Sequence, residues 1–207
     1  MKLNKVLALA LSGVMAVSML AGCSGNSGNG GQEGEQPPVA DNTIASVLND
    51  EQKDNEVKVN FTYSDSLEAA LQKTLAVVGG KADADKVDSY LQNVLGVDDV
   101  TVKEFYGHPN NGKGGNKVGE QTAVVVVRND SGKTVDSVAK EMYKKLSDGG
   151  FEGLTEEWLD KTNVNGQIKW SFDYTGEVAA VTGVENNQNY TYVAVVVTCN
   201  TTKALAD

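Results

Sequence analysis

The stretch Ala123-Val124-Val125-Val126-Val127 decides the fold of this chain of 207 residues. It is an unbroken apolar run of five, and four of its members are valine. Strands that are buried on both faces carry continuous runs of this kind, whereas a strand with one wet face alternates with period two. We therefore predict a central strand of a sheet, covered on both faces.

A helix is predicted directly after this strand, over residues 133–146. Its apolar residues recur at 3, 4, 7 and 11 positions from the first, which is the clearest helical period in the chain. They are Val135, Val138, Ala139, Met142 and Leu146. Residues 151–159 are expected to form a short further helix, with Glu156 and Glu157 in solvent and Trp158 turned to the core.

The C-terminal part of the chain is typical of strands. Apolar and aromatic residues dominate or alternate over residues 167–174, 178–184 and 190–199. The last two segments are expected to form a hairpin around Glu185-Asn186-Asn187-Gln188-Asn189.

The residues before the valine run predict a mixture of helices and strands. Residues 57–63 alternate between apolar and polar types, as a half-buried strand does. Asp65-Ser66-Leu67-Glu68 has the form of a capping box and begins a helix that Gly79-Gly80 ends. The remaining predicted elements are a short helix over 43–49, a helix over 84–95, a strand over 100–106 and a Gly/Asn-rich loop over 107–119.

This order of elements predicts an α+β fold over residues 43–207, with a largely antiparallel sheet packed with three to four helices. Two units of helix and hairpin can be distinguished in it. Val87-Asp88-Ser89 matches Val135-Asp136-Ser137 between them, so a helix–hairpin duplication is one interpretation.

The N-terminus has the three parts of an export signal. Lys2 and Lys5 precede an apolar run over residues 6–20, and the run ends at Leu20-Ala21-Gly22-Cys23. The run is shorter than the roughly 20 apolar residues that span a bilayer. An ordinary secretory signal and a retained membrane helix are the alternatives.

The sequence Leu20-Ala21-Gly22-Cys23 resembles the lipobox of bacterial lipoproteins. The resemblance implies that residues 1–22 are a signal peptide that is removed, and that the Cys23 thiol carries a diacylglyceryl group. Further acyl chains, palmitate among them, would hold the protein at the extracytoplasmic face of the cell membrane. Residues 23–42 would then be the lipidated cysteine and a flexible linker rich in glycine, serine and proline.

Charge and cysteine content narrow the classes of partner. The chain carries a formal charge of −10, and removal of the two signal lysines leaves 16 basic against 28 acidic residues, or −12. No nucleic-acid partner is expected from such a chain, and attachment to the membrane rests on the lipid. Cys199 is the other cysteine, and its apolar neighbours predict a buried core residue.

The 107–119 loop contains His108, which is the only histidine. Its sequence fits the phosphate-loop pattern G-x-x-x-x-G-K, but Gly114 stands where a serine or threonine is needed, and a strand follows in place of a helix. We interpret it as a connection whose polar residues His108, Asn110 and Asn111 are candidate ligand contacts. No metal site, catalytic residue or cofactor is predicted.

Two further groups of residues are candidates for function. Trp170 and Tyr174 lie on alternate positions of a predicted strand, where they either stack on a sugar or peptide or fill the core. Asp83, Asp85 and Asp88 lie at a helix start, where acidic residues complement the helix dipole.

Together these features predict a binding or interaction domain at the cell surface, with a small-molecule, sugar or protein partner. Two alternatives stay open. One is a hydrolase of wall polymer or peptide that uses acidic residues from different elements, and the other is a structural subunit of an envelope assembly.

Overall fold

A computed structural model describes residues 41–107, 118–130, 133–160 and 168–205. These residues form four α-helices and five strands, which confirms the α+β class. The helices are α1 (Asp41–Glu51), α2 (Asp65–Val78), α3 (Ala84–Leu95) and α4 (Val135–Asp148). The strands are β1 (Asn60–Tyr63), β2 (Gly119–Asn129), β3 (Glu157–Asp160), β4 (Ile168–Glu185) and β5 (Gln188–Leu205). Among the described residues, no helix has the length and apolar character needed to cross a bilayer.

The strands form one mixed sheet in the order β1-β4-β5-β2. β1 is parallel to β4, and β3 is antiparallel to an earlier part of β4, so both flank the same strand. The β4–β5 and β2–β5 pairs are antiparallel. The prediction of a largely antiparallel sheet is therefore confirmed.

Helices cover both faces of the sheet. On β2, odd-numbered residues such as Ala123 and Val127 join the core beneath α1 and α4, and even-numbered residues join the core beneath α2 and α3. Burial of the valine run on both faces is thus confirmed. Its central position is wrong, because β2 pairs only with β5 among the described strands. A continuous apolar run indicates that both faces of a strand are covered, but it does not indicate how many strands pair with it.

β4 is one continuous strand, although two were predicted. Gly176 lies between the two predicted segments and pairs with Phe61 of β1. The Phe61 ring occupies the space above this glycine, where an added Cβ would lie 2.4 Å from Phe61 Cδ1. The hairpin that follows is confirmed, and Asn186 and Asn187 form its two-residue turn with φ of 53° and 59°.

Two predicted elements are wrong. Residues 100–106 contain a 3₁₀ turn (Val102–Glu104) and no strand, because Thr101 and Glu104 cap each other. The first hairpin of the predicted helix–hairpin duplication is therefore absent from the described residues. Residues 151–159 are not helical beyond a 3₁₀ turn (Phe151–Gly153). Trp158 belongs to β3 and is 45% exposed, so it does not turn to the core.

The helix boundaries differ slightly from the prediction. α1 is longer than predicted and begins at Asp41, inside the range assigned to the linker. The N-cap of α2 is Ser64, whose side chain accepts a hydrogen bond from the Leu67 amide, and Asp65 is the first helical residue. Gly79 and Gly96 end α2 and α3 with positive φ, as expected.

Candidate functional site in the β2 edge groove

Four of the predicted site residues, Cys23, His108, Asn110 and Asn111, lie outside the described part of the chain. Trp170 is 2% exposed, so its ring belongs to the core and offers no free face to a ligand. The Tyr174 hydroxyl donates to the Thr155 carbonyl at 2.9 Å, and burial raises the pKa of Tyr174. These two aromatic residues therefore fill the core and its margin.

Cys199 is fully buried, as predicted. Burial raises the pKa of its thiol. The side chain lies 3.8 Å from the Thr201 hydroxyl and acts as a small core residue. A reactive thiolate is disfavoured in such surroundings.

The outer edge of β2 is one place where the structure brings polar groups and cavities together. Residues of an antiparallel strand turn their backbone groups alternately towards the partner strand and away from it. The Val126 carbonyl faces away from β5, since it accepts a hydrogen bond from Lys145 Nζ at 3.0 Å. By alternation, Val124 also turns its amide and carbonyl outward. The described residues show no backbone partner for either residue on that side.

This edge lies in a groove between α3 and α4, which we call the β2 edge groove. Lys145 of α4 crosses it, because its Nζ contacts both Val126 and, at 3.6 Å, Asp85 Oδ1 on α3. Two cavities of about 190 Å³ and 250 Å³ lie along the groove, and Lys145 lines both of them. Lys145 is partly exposed and Asp85 almost fully exposed, and an ion pair of this kind contributes only about 0–1 kcal/mol.

The smaller cavity has apolar walls and an acidic end. The walls include Val100, Val102, Val124 and Leu146, and the polar end consists of Asp88, Gln92 and Asp99. Gln92 Nε2 donates to Asp88 Oδ1 at 3.1 Å and to Asp99 Oδ1 at 3.4 Å. One amide group thus holds the two carboxylates near each other.

Asp88 is the most perturbed carboxyl group of this groove. Burial raises its pKa to about 6, and repulsion from Asp99 and Asp85 adds to that effect. Lys145 lowers the pKa of Asp88, because its positive charge attracts the ionised carboxylate. An ionised Asp88 at neutral pH therefore faces the cavity at a cost in stability. The described part of the chain contains no group of three or more His, Cys, Asp or Glu side chains that could hold a metal ion.

The larger cavity is bounded by a docked loop. Arg128 forms ion pairs with Asp130 and with Asp83, the latter at 3.2 Å. Its Nη1 also donates to the carbonyls of Lys81 and Ala82 at 3.0 Å each. Because these contacts bind the α2–α3 loop to the end of β2, Arg128 forms a fixed wall of the groove.

The sequence does not predict this groove. It indicates that Asp88 is a helix-start acid beside Asp83 and Asp85, yet Asp88 lies one turn further along α3 and turns towards β2. Its spacing of four from Gln92 was the one available signal. Lys145 is one of two adjacent lysines near the end of α4, and nothing in the sequence distinguishes it.

Comparison of the chain with protein-family models, with curated proteins and with solved structures finds no match.

Proposed function

We propose that this chain is a lipoprotein of the bacterial cell envelope, tethered through a lipid on Cys23, whose folded part binds a polypeptide partner in the β2 edge groove. The tether rests on the lipobox-like sequence. A linker of about 20 residues has a mean reach on the order of 25 Å. In this proposal, such a tether would let the folded part stand clear of the lipid headgroups.

The observation that carries the binding function is the outward-facing backbone of β2 between two helices. A sheet edge of this kind offers hydrogen-bond donors and acceptors in a regular row, which an extended polypeptide matches. Small-molecule sites commonly measure about 300–1,000 Å³. Each cavity here is smaller, at about 190 Å³ and 250 Å³, and suits single side chains.

A second candidate function is hydrolysis of a wall polymer. Asp88 and Asp99 accept hydrogen bonds from the same Gln92 nitrogen, which keeps their oxygens close. Glycosidases use two carboxyl groups about 5–10 Å apart, one of them with a raised pKa. The raised pKa of Asp88 favours this candidate. The small volume of the cavity favours peptide binding.

The anchor is tested by cell fractionation of a Cys23→Ser variant. We expect this variant to leave the membrane fraction and to lose labelling by an alkyne analogue of palmitate. Cys199→Ala, which changes the other cysteine, should retain both properties. Membrane retention of Cys23→Ser would refute the tether.

The binding function is tested by selecting peptides from a displayed random library on the mature, unlipidated protein. Gln92→Trp places a large side chain in the smaller cavity, and Asn93→Trp places the same side chain on the exposed face of α3. Peptides that bind the groove should bind wild type and Asn93→Trp, but not Gln92→Trp. Recovery of no such peptide would contradict peptide binding. Release of reducing sugar from purified peptidoglycan, abolished by Asp88→Asn, would support the hydrolase instead.

A further inference from the structure

The β2 edge groove also indicates what kind of polypeptide it takes and how. Resting on the proposed function, we infer that the partner adds as an extended strand beside β2 and places a lysine or arginine side chain in the cavity that ends at Asp88. Lys145 occupies the binding position while the groove is empty.

The backbone of β2 gives the first support for an added strand. Val124 and Val126 are 6% and 0% exposed, so their outward amides and carbonyls are covered while Lys145 crosses the groove. For Val126 the described contact on this side is that of Lys145 with the carbonyl. A buried backbone amide without an acceptor is costly, by roughly 1–3 kcal/mol. An added strand would supply acceptors for these amides, for which the described residues show none, as well as a donor for Val126.

The second step is charge. Six acidic residues line the two cavities or touch Lys145 from α3, namely Asp83, Asp85, Asp88, Asp99, Asp130 and Glu141. Arg128 already pairs with two of them. Glu141 pairs with Lys133. The other three, Asp85, Asp88 and Asp99, are met by one partly exposed lysine, Lys145. A cationic segment complements this surface, and an acidic segment would be repelled.

The third step is the shape of the smaller cavity. Its valine and leucine walls lead to the carboxylates of Asp88 and Asp99. Lysine and arginine have the matching construction, with an aliphatic stem and a charged end. Uncharged aliphatic side chains would fill the walls and bring no cation to the carboxylates.

The fourth step is the role of Lys145. Its ammonium group gives Val126 a donor and gives Asp85 a cation, which are the two things that a basic strand would bring. Lysines on sheet edges also prevent unwanted pairing. Because the Lys145–Asp85 pair is exposed, its loss costs little. Withdrawal of this side chain would join the two cavities into one groove.

The inference is tested with three synthetic peptides. Their binding to the mature, unlipidated protein is measured by fluorescence polarisation. The first is a seven-residue alternation of valine and threonine with a central lysine. The second has norleucine in place of lysine, which keeps most of the stem and removes the charge. The third is the lysine peptide with N-methyl groups on alternate residues, which removes one hydrogen-bonding edge. We expect the second and third to bind at least tenfold more weakly than the first.

Protein variants complete the test. Asp88→Asn should abolish the preference for lysine over norleucine. Lys145→Met, which keeps the stem of the side chain, should bind the lysine peptide several-fold more tightly, and Lys144→Met, on the exposed side of α4, should not. Circular dichroism and thermal unfolding check that each variant is folded.

The outcomes separate this inference from the proposed function. Equal binding of the lysine and norleucine peptides, or weaker binding by Lys145→Met, overturns the inference. The proposed function is overturned separately, if library selection recovers no peptide that is sensitive to Gln92→Trp.

Discussion

Replacement of Asp88 by asparagine should stabilise this protein at neutral pH. The folded structure raises the pKa of Asp88 from 3.8 to about 6, mainly through burial. A carboxyl whose pKa is raised on folding binds its proton more tightly in the folded state. Its ionisation therefore destabilises the fold increasingly as pH rises from about 4 to about 6, and fully at higher pH. Asparagine keeps the shape and the acceptor oxygen for Gln92, and it removes the charge.

The magnitude follows from the pKa. The full change corresponds to about 3 kcal/mol at 1.36 kcal/mol per pKa unit. Because part of the carboxyl remains in contact with solvent, screening reduces the expected gain to about 1–2 kcal/mol. The charged groups that face Asp88 are Lys145 from α4, Asp85 on α3 and Asp99 after it. The Asp88 pKa of about 6 already includes the electrostatic effect of these three groups.

The assay is urea unfolding of the mature, unlipidated protein and its Asp88→Asn variant at pH 7.5, 6, 5 and 4. The gain should be complete at pH 7.5, fall between pH 6 and 4, and vanish below about 4, where the aspartate is protonated in both folded and unfolded states. Asp98→Asn, at an exposed position nearby, should change stability by less than about 0.5 kcal/mol.

Two results would refute this reasoning. A variant less stable than wild type at pH 7.5 would show that the ionised carboxylate is a net stabilising group. A gain of the same size at every pH would show that packing, and not ionisation, is the cause. A confirmed gain would establish that the groove keeps a charge that the fold alone does not favour, as functional sites often do.

Three further predictions concern the fold. Gly176→Ala should lower the free energy of unfolding by about 1–3 kcal/mol, since its Cβ would lie 2.4 Å from Phe61 Cδ1. Urea unfolding would measure this loss, and an unchanged midpoint would show that the Phe61 ring moves freely. Gln52→Leu should cost about 2–3 kcal/mol, because the buried Gln52 amide pairs with both the N–H and the carbonyl of Val59; wild-type stability would mean that water replaces it. Tyr192→Phe should lower the free energy of unfolding by about 1 kcal/mol and speed amide hydrogen exchange in the α2–α3 loop, because carbonyls of this loop accept hydrogen bonds from the Tyr192 hydroxyl. Equal exchange rates in the variant and the wild type would argue that the loop is held by other contacts.

Local sequence patterns were sufficient to predict several helices and turns. The helical period over 133–146 predicted α4 to within two residues, because one apolar face of a helix is enough to bury it. Asn186-Asn187 marked the hairpin, because asparagine tolerates the positive φ of a two-residue turn. Glycines at positions 79 and 96 marked the ends of α2 and α3 for the same reason.

Other elements depended on partners that no local pattern reveals. Residues 100–106 alternate like a strand, yet the mutual capping of Thr101 and Glu104 stabilises a turn there. The sequence predicts two separate strands on either side of Gly176, yet Phe61 of a strand more than 100 residues earlier covers this glycine and allows β4 to continue. Trp158 lies on a short strand because β4 offers an edge for it.

By itself, the sequence determined the α+β class, the burial of the valine run on both faces and the expectation of a lipid anchor at Cys23. These follow from residue type and spacing along the chain. Tertiary structure alone decided that β2 lies at the sheet edge and that Asp88 and Lys145 meet across it. The two residues belong to helices on opposite faces of the sheet, and the raised pKa of Asp88 arises from burial against β2. Neither property exists until those helices pack.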